Sequence, residues 1–172
     1  MNFLDPAVWT FSQILRDSHA GLVKEFQQFE KTAWINNNQQ NIDAAGGWYF
    51  IPFLGKGTVY NTYIEKCPTV QKLIEQVPIF DNCVFSILGP HSEIKPHKGH
   101  TGDHLRVHLS LITDGNAHIT VGSDTEYWQQ GELLIFQDAE AHSAANKSDN
   151  TRVVFLFDIK QQDYYDNILQ NG

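Results

Sequence analysis

The apolar positions along this chain change their period near residue 47. Before it, Val8, Trp9, Phe11, Ile14 and Leu15 recur at helical spacing, and Leu22, Phe26, Phe29 and Trp34 fall near one face of a second helical run, LVKEFQQFEKTAW. Asp5-Pro6 precedes the first run as a helix-start pair, an Asp cap followed by Pro at the first helical position. The polar stretch INNNQQNIDAAGG reads as a loop, too short to link domains. From Trp48 the chain turns to short extended runs: WYFIPFL, GKGTVYNTYI, VFSILG, LRVHLSLI, AHITVG, EYWQQ, ELLIF, HSAAN and TRVVFLFDI. Turn residues such as Thr113-Asp114-Gly115-Asn116 and Gly122-Ser123-Asp124 separate them. The exception is PTVQKLIEQ, a short helix opened by Pro68 and closed before Pro78. Many short strands at regular spacing predict a mainly β fold, a double-stranded β-helix of the cupin-like jelly-roll type with helices in front. The chain of 172 residues reads as a single domain, helical over 1–45 with a jelly-roll core over 47–160.

Composition narrows the partners. The formal charge is −8 and no run of Lys or Arg could follow a phosphate backbone, so nucleic acid and anionic membrane surfaces are not expected partners. No apolar stretch approaches the roughly 20 residues that cross a bilayer, and MNFLDPAVWTFSQIL lacks the basic start of a signal peptide. A soluble cytoplasmic protein is the expectation. Cys67 and Cys83 are the only cysteines, and free thiols are expected of them. Four histidines crowd into residues 97–108.

Three features carry candidate chemistry. In Leu105-Arg106-Val107-His108-Leu109-Ser110-Leu111, Arg106, His108 and Ser110 share one face and four aliphatic residues share the other. That polar face either meets water or lines an anion site, and the alternation alone does not choose. Arg152 is the only charge between Asp149 and Asp158, at the start of an apolar strand. Its planar fork suits a carboxylate, although an arginine so placed is commonly a rim residue paired with an acid. His97, in KPHKGHTGDH, and His142, in QDAEAHSAAN before the last strand, have the layout of a mononuclear iron site. The usual carboxylate two residues after the first histidine is absent, because Gly99 stands there. Asp138 and Glu140 are candidates to support the second histidine from behind.

Pro96-His97-Lys98-Gly99, Leu105-Arg106-Val107-His108-Leu109, Trp128, Gly131, Ile135-Phe136, His142 and Arg152 occur together in order. In this the stretch from Ser86 to Asp158 resembles the aspartyl/asparaginyl β-hydroxylase family of 2-oxoglutarate- and Fe(II)-dependent oxygenases, with weaker similarity back to about Gly47. The resemblance implies His97 and His142 as the iron ligands and accounts for Gly99, since members of the family hold iron with two histidines. It implies Arg152 and Ser86 for the far carboxylate of 2-oxoglutarate, His108 for its near carboxylate, and Arg106 for a substrate carboxylate. The implied reaction is hydroxylation of an unactivated carbon with O2, releasing succinate and CO2, on an Asp/Asn-type amino acid, peptide or small molecule. His19, His91, His100, His104 and His118 receive no role and are expected at surfaces or turns. Two other readings share the fold: a cupin-type binding module without turnover, and a dioxygenase that needs no 2-oxoglutarate.

Overall fold

A computed structural model describes residues 1–37, 46–99 and 102–171. Its strands are β1 (Phe3–Leu4), β2 (Ile35–Asn36), β3 (Trp48–Pro52), β4 (Leu54–Gly55), β5 (Thr58–Val59), β6 (Asp81–Leu88), β7 (Ser92–His97), β8 (His104–Ile112), β9 (Ala117–Val121), β10 (Asp124–Tyr127), β11 (Leu133–Gln137), β12 (His142–Asn146) and β13 (Arg152–Lys160). An antiparallel sheet of seven strands runs β1-β11-β8-β13-β6-β3-β2, and one of four runs β10-β9-β12-β7. The two make the expected jelly roll.

Alternation along the strands of the large sheet sorts its side chains between two cores. Leu105, Val107, Leu109 and Leu111 of β8 join Val153, Phe155, Phe157 and Ile159 of β13 on the outer face. The helices α1 (Ser12–Asp17), α2 (His19–Gln27) and α4 (Pro68–Gln76) pack there through Leu15, Leu22, Phe26, Val70 and Leu73. Each such buried aliphatic or aromatic side chain contributes roughly 1.5–3 kcal/mol relative to exposure. On the inner face Leu88, Val154, Leu156 and Phe136 meet Ile94, Ile119, Val121 and Ala144 of the smaller sheet. The polar side chains of the large sheet's inner face thus lie between two sheets: Ser86, His108, Ser110 and Arg152 are buried, and Arg106 is half-buried.

Several local expectations need correction. Asp5 caps as read, its Oδ1 accepting from the Ala7 amide at 2.8 Å, but the helix it opens is a single 3-10 turn, Pro6–Val8. The chain extends at Trp9 (φ −92°, ψ 118°), and α1 begins only at Ser12. α2 ends at Gln27, and Lys31–Ala33 is a separate 3-10 turn. Within the expected 35–47 loop, Ile35–Asn36 pairs with β3; residues 38–45 lie outside the described residues. GKGTVYNTYI is extended only at Thr58–Val59, after which Asn61–Ile64 turns as α3, placing Tyr63 and Ile64 against the outer core. The C-terminal helix α5 (Gln161–Asn171) was not expected; Tyr164 anchors it, buried and donating its hydroxyl to the Asp5 carbonyl at 2.9 Å. Cys67 and Cys83 are buried free thiols, as expected. Among the described residues no helix is long and apolar enough to cross a membrane.

Candidate active site

Ser86, His97, Arg106, His108, His142 and Arg152 all line one pocket between the two sheets. They come from five strands, β6, β7, β8, β12 and β13, which antiparallel pairing brings together; His97, expected in a Gly- and His-rich loop, ends β7 instead. His97 ends β7 and His142 begins β12, and the two are direct partners in the ladder, with a register shift just beyond. Their rings lie 4.3 Å apart, centroid to centroid. Each Nδ1 bonds the carbonyl two residues back, His97 to Lys95 at 2.8 Å and His142 to Glu140 at 2.7 Å. A neutral imidazole that donates from Nδ1 keeps its lone pair on Nε2, so both rings are held in the tautomer a metal requires. Burial, ahead of the neighbouring His97 and Arg106 charges, lowers the His142 pKa and favours its neutral form. The pair fits a divalent metal of the imidazole-binding kind. Among the described residues no third His, Cys, Asp or Glu completes a ligand set with them.

At the inner end of the pocket the donors are unpaired and aimed inward. Arg152 is 2% exposed, and no carboxylate among the described residues lies within ion-pairing distance of it. The rim reading, in which an acid neutralises Arg152, does not hold. Burial alone pushes the guanidinium pKa down to about 9, and its Nε is buried without a partner. Its one evident support is the Trp128 ring, 4.5 Å from the guanidinium carbon. The Trp128 indole N–H also donates to His108 Nδ1 at 3.3 Å. That bond puts the His108 proton on Nε2, which is buried and unpartnered. Burial first, then the Arg152, Arg106 and His142 charges, hold the His108 pKa well below 6.5, so it serves as a neutral donor. Trp48 donates to Ser86 Oγ at 3.0 Å, leaving the Ser86 hydroxyl proton free to point elsewhere. An arginine, an imidazole N–H and a hydroxyl therefore converge on a small enclosed volume as an anion receptor. Trp48 and Trp128 set their orientation. Trp128 was visible in the sequence as part of the family pattern, but its two contacts, twenty and twenty-four residues away, carried no local signal.

Arg106 lies in the same pocket, but its fork is engaged. Nε and Nη2 donate to the two oxygens of Asp158 at 2.9 and 3.0 Å, and Nη1 lies 2.6 Å from Asp138 Oδ1. Burial works against its charge, yet Asp158, Asp138 and Asp81 together raise its pKa. Asp138 is itself buried, with Oδ1 3.8 Å from His142 Nε2. Glu140 contributes only its carbonyl to His142; its side chain is exposed. Gly99 now has a physical reason. Its amide donates to the Asp138 carbonyl at 2.8 Å, and a Cβ added at 99 would overlap the Asp138 carboxylate and come within 2.8 Å of that carbonyl. No side chain fits there, carboxylate or otherwise.

The other described histidines stand outside the site. His91 is exposed and pairs with Asp149 at 2.7 Å, and His19 Nε2 meets the Leu111 carbonyl at 3.0 Å. His118 packs on Tyr127, and half-buried His104 on Phe80. His100 lies outside the described residues.

A jelly roll with two Nε2-presenting histidines beside an anion receptor defines the class of cupin-like, oxygenase-type folds. The chain belongs to the aspartyl/asparaginyl β-hydroxylase family, whose model it matches over residues 11–162. It is 32% identical to the ornithine lipid ester-linked acyl 2-hydroxylase of Rhizobium tropici, over 72% of this chain and 45% of that protein. It is 27% identical to aspartate beta-hydroxylase domain-containing protein 2 of Xenopus tropicalis, over 86% of this chain and 43% of that one. It therefore spans less than half the length of these curated relatives. Its fold is similar to a Trichoplax adhaerens prolyl hydroxylase solved with a peptide of hypoxia inducible factor, with a TM-score of 0.54, 13% identity, and 87% and 81% of the two chains covered.

Proposed function

We propose that this protein is a hydroxylase that uses Fe(II), 2-oxoglutarate and O2. The observation that carries the reading is Arg152: a buried guanidinium without an acid, beside a pair of imidazoles with free Nε2 atoms. Burying such a charge is unfavourable by several kcal/mol unless an anion meets it, and a dicarboxylate does so. In this reading His97 and His142 would hold the iron, which would support oxidation by O2, one oxygen atom going to the substrate carbon and the other to succinate as 2-oxoglutarate loses CO2. Arg152 grips the far carboxylate through two parallel bonds, with the Ser86 hydroxyl beside it. His108, fixed by Trp128, donates from Nε2 to the carboxylate nearer the metal. The apolar walls, Ile94, Ile119, Phe136 and Leu156 among them, exclude water from these bonds and strengthen them.

The substrate brings an unactivated carbon to the iron side of the pocket. The family name points to Asp or Asn in an amino acid or peptide, whereas the Rhizobium tropici relative is named for a lipid acyl chain. A carboxylate substrate would meet Arg106 at the guanidinium donors that Asp158 and Asp138 leave unused. The test is succinate formation from 2-oxoglutarate by the purified protein with Fe(II), ascorbate and air. Succinate is expected from the wild type and none from His97→Ala/His142→Ala or Arg152→Met. A folded, iron-loaded wild type that forms none overturns the proposal and leaves a binding module.

A further inference from the structure

Strand β6 enters the large sheet through an irregularity. Its register with β13 shifts between Leu156 and Asp158, and Asn82 takes a left-handed conformation there (φ 51°), its Nδ2 donating to Asp158 Oδ2 at 2.6 Å. A bulge of this kind re-aims the side chains beside it. Here the Phe80 amide donates to the Asp158 carbonyl at 2.8 Å, and the Phe80 ring lies 4.9 Å from the His104 ring and 5.0 Å from Lys160 Nζ. His104 and Lys160 are direct partners in the β8–β13 ladder, as are Arg106 and Asp158 two residues further in. By the period of two, all four share the face that carries the pocket, and the outer pair stands about 7 Å beyond the inner one. Despite its neighbours the Phe80 ring is 47% exposed, and Lys160 is exposed beside it. Asp158 is taken up by Arg106, and Asp81 Oδ1 accepts from the Lys56 amide at 2.9 Å. Asp103 Oδ1 lies 4.0 Å from His104 Nε2. Among the described residues no carboxylate forms an ion pair with Lys160, whose ammonium meets only the Phe80 ring.

We propose that Phe80 and Lys160 form an outer subsite, an aromatic floor beside a cation without an acid partner, for an extended peptide substrate that carries an acidic side chain two residues from the one hydroxylated. The inference rests on the hydroxylase reading for where the reacting residue lies. In an extended peptide, side chains two apart share a face and stand about 7 Å apart. That is the same step as from the Arg106–Asp158 pair to the His104–Lys160 pair. A residue at the pocket mouth beside Arg106 therefore sets its second neighbour over Phe80. A Glu there packs its methylene stem on the ring and brings its carboxylate to Lys160, giving the ammonium the acid that the fold does not supply. A free amino acid is too short to touch both places. An acyl chain does worse on this surface, because an ammonium lies over the ring it would cover. With a formal charge of −8 the chain repels acids at long range, so the preference is local to Lys160.

The test is the binding of two peptides, Gly-Glu-Gly-Asn-Gly-Glu-Gly and the same sequence with Gln for Glu. Each carries fluorescein and is titrated by anisotropy with the full chain, loaded with Mn(II) and 2-oxoglutarate under nitrogen. The acid stands on both sides of Asn so that either chain direction presents it. The wild type is expected to bind the Glu peptide about threefold more tightly, the size of an exposed ion pair, and to lose the preference in high salt. Lys160→Gln is expected to bind both peptides alike, and Lys160→Glu to favour a third peptide with Lys at those positions. Phe80→Ser is expected to weaken both peptides by about threefold or more. Both side chains are exposed, so each variant is expected to keep the wild-type Tm. Equal binding of the two peptides by the wild type, binding of neither, or a preference that survives Lys160→Gln overturns the inference. Binding to phosphatidylglycerol vesicles in place of the peptides, lost in Lys160→Gln, assigns the surface to a lipid headgroup and overturns it as well. Failure of the hydroxylase reading is told apart by the absence of succinate, since the Glu preference is read from binding and needs no turnover.

Discussion

Replacing Arg152 by Met should make the ligand-free protein more stable while abolishing its response to 2-oxoglutarate. The guanidinium is buried, and burial alone pushes its pKa down to about 9. At about 1.4 kcal/mol per unit, that corresponds to an unfavourable burial on the order of 5 kcal/mol at neutral pH. Met has similar length and no charge. Exchanging a buried ionic group for an apolar one of like volume gains about 1–4 kcal/mol in other proteins. Part of the gain is offset by losing the stack on Trp128, about 0.5–2 kcal/mol. For a domain of this size 1 kcal/mol moves Tm by roughly 2–4 °C, so the variant should melt several degrees higher. Adding 2-oxoglutarate and Mn(II) reverses the order. At a hundredfold excess over Kd the wild type gains about 2.7 kcal/mol, and the variant gains only what the metal gives it. The pH dependence has a definite sign. Because burial lowers the folded guanidinium's pKa to about 9, below that of the unfolded chain, wild-type stability rises relative to Arg152→Met as pH climbs past about 9, and the gap narrows. Differential scanning calorimetry reads all of this. A variant that melts below the wild type without ligand, yet shows an equal shift with 2-oxoglutarate, would refute the reasoning.

Other outcomes follow from the same contacts. Trp128→Phe removes the N–H that sets the His108 tautomer, and should weaken 2-oxoglutarate binding about tenfold with Mn(II) affinity unchanged, as measured by calorimetric titration. Gly99→Ala forces the Asp138 carboxylate aside, and should lower Mn(II) affinity at least about tenfold with the Tm only modestly reduced. His108 and His142 have lowered pKa values in the fold, so their unfolded forms take up protons first as pH drops below 6.5. Metal-free protein should therefore lose stability from about pH 6.5 downward, and His108→Gln should lessen that slope in thermal melts.

The alternation of β8 and β13 was enough to say which side chains share a face, because a strand's period of two needs no knowledge of its neighbours. It could not say what that face meets. Whether Arg106, His108 and Ser110 looked on water or on a pocket depended on the smaller sheet, built from β7, β9, β10 and β12, closing over them. His97 and His142 were marked as a candidate metal pair by spacing and resemblance, but their tautomers depend on the carbonyls of Lys95 and Glu140 and so on local backbone geometry. The contacts that define the rest of the site are non-local. Trp48 reaches Ser86 across thirty-eight residues, and Asp158 reaches Arg106 across fifty-two. No local pattern marks Asp158 as the partner of Arg106, so the ion pair that holds this arginine was not legible in the sequence. The helix α5 was missed for a related reason: Tyr164 and Ile168 give it only a narrow apolar edge, and its packing comes from the outer core.

The most direct test of the central claim is a calorimetric titration of 2-oxoglutarate into the Mn(II)-loaded protein under nitrogen, beside His97→Ala/His142→Ala and Arg152→Met. The account predicts one saturable site in the wild type, binding at least about a hundredfold weaker in Arg152→Met, and none that depends on Mn(II) in the histidine variant. Equal affinity in all three proteins, or no binding by folded, metal-loaded wild type, would contradict it.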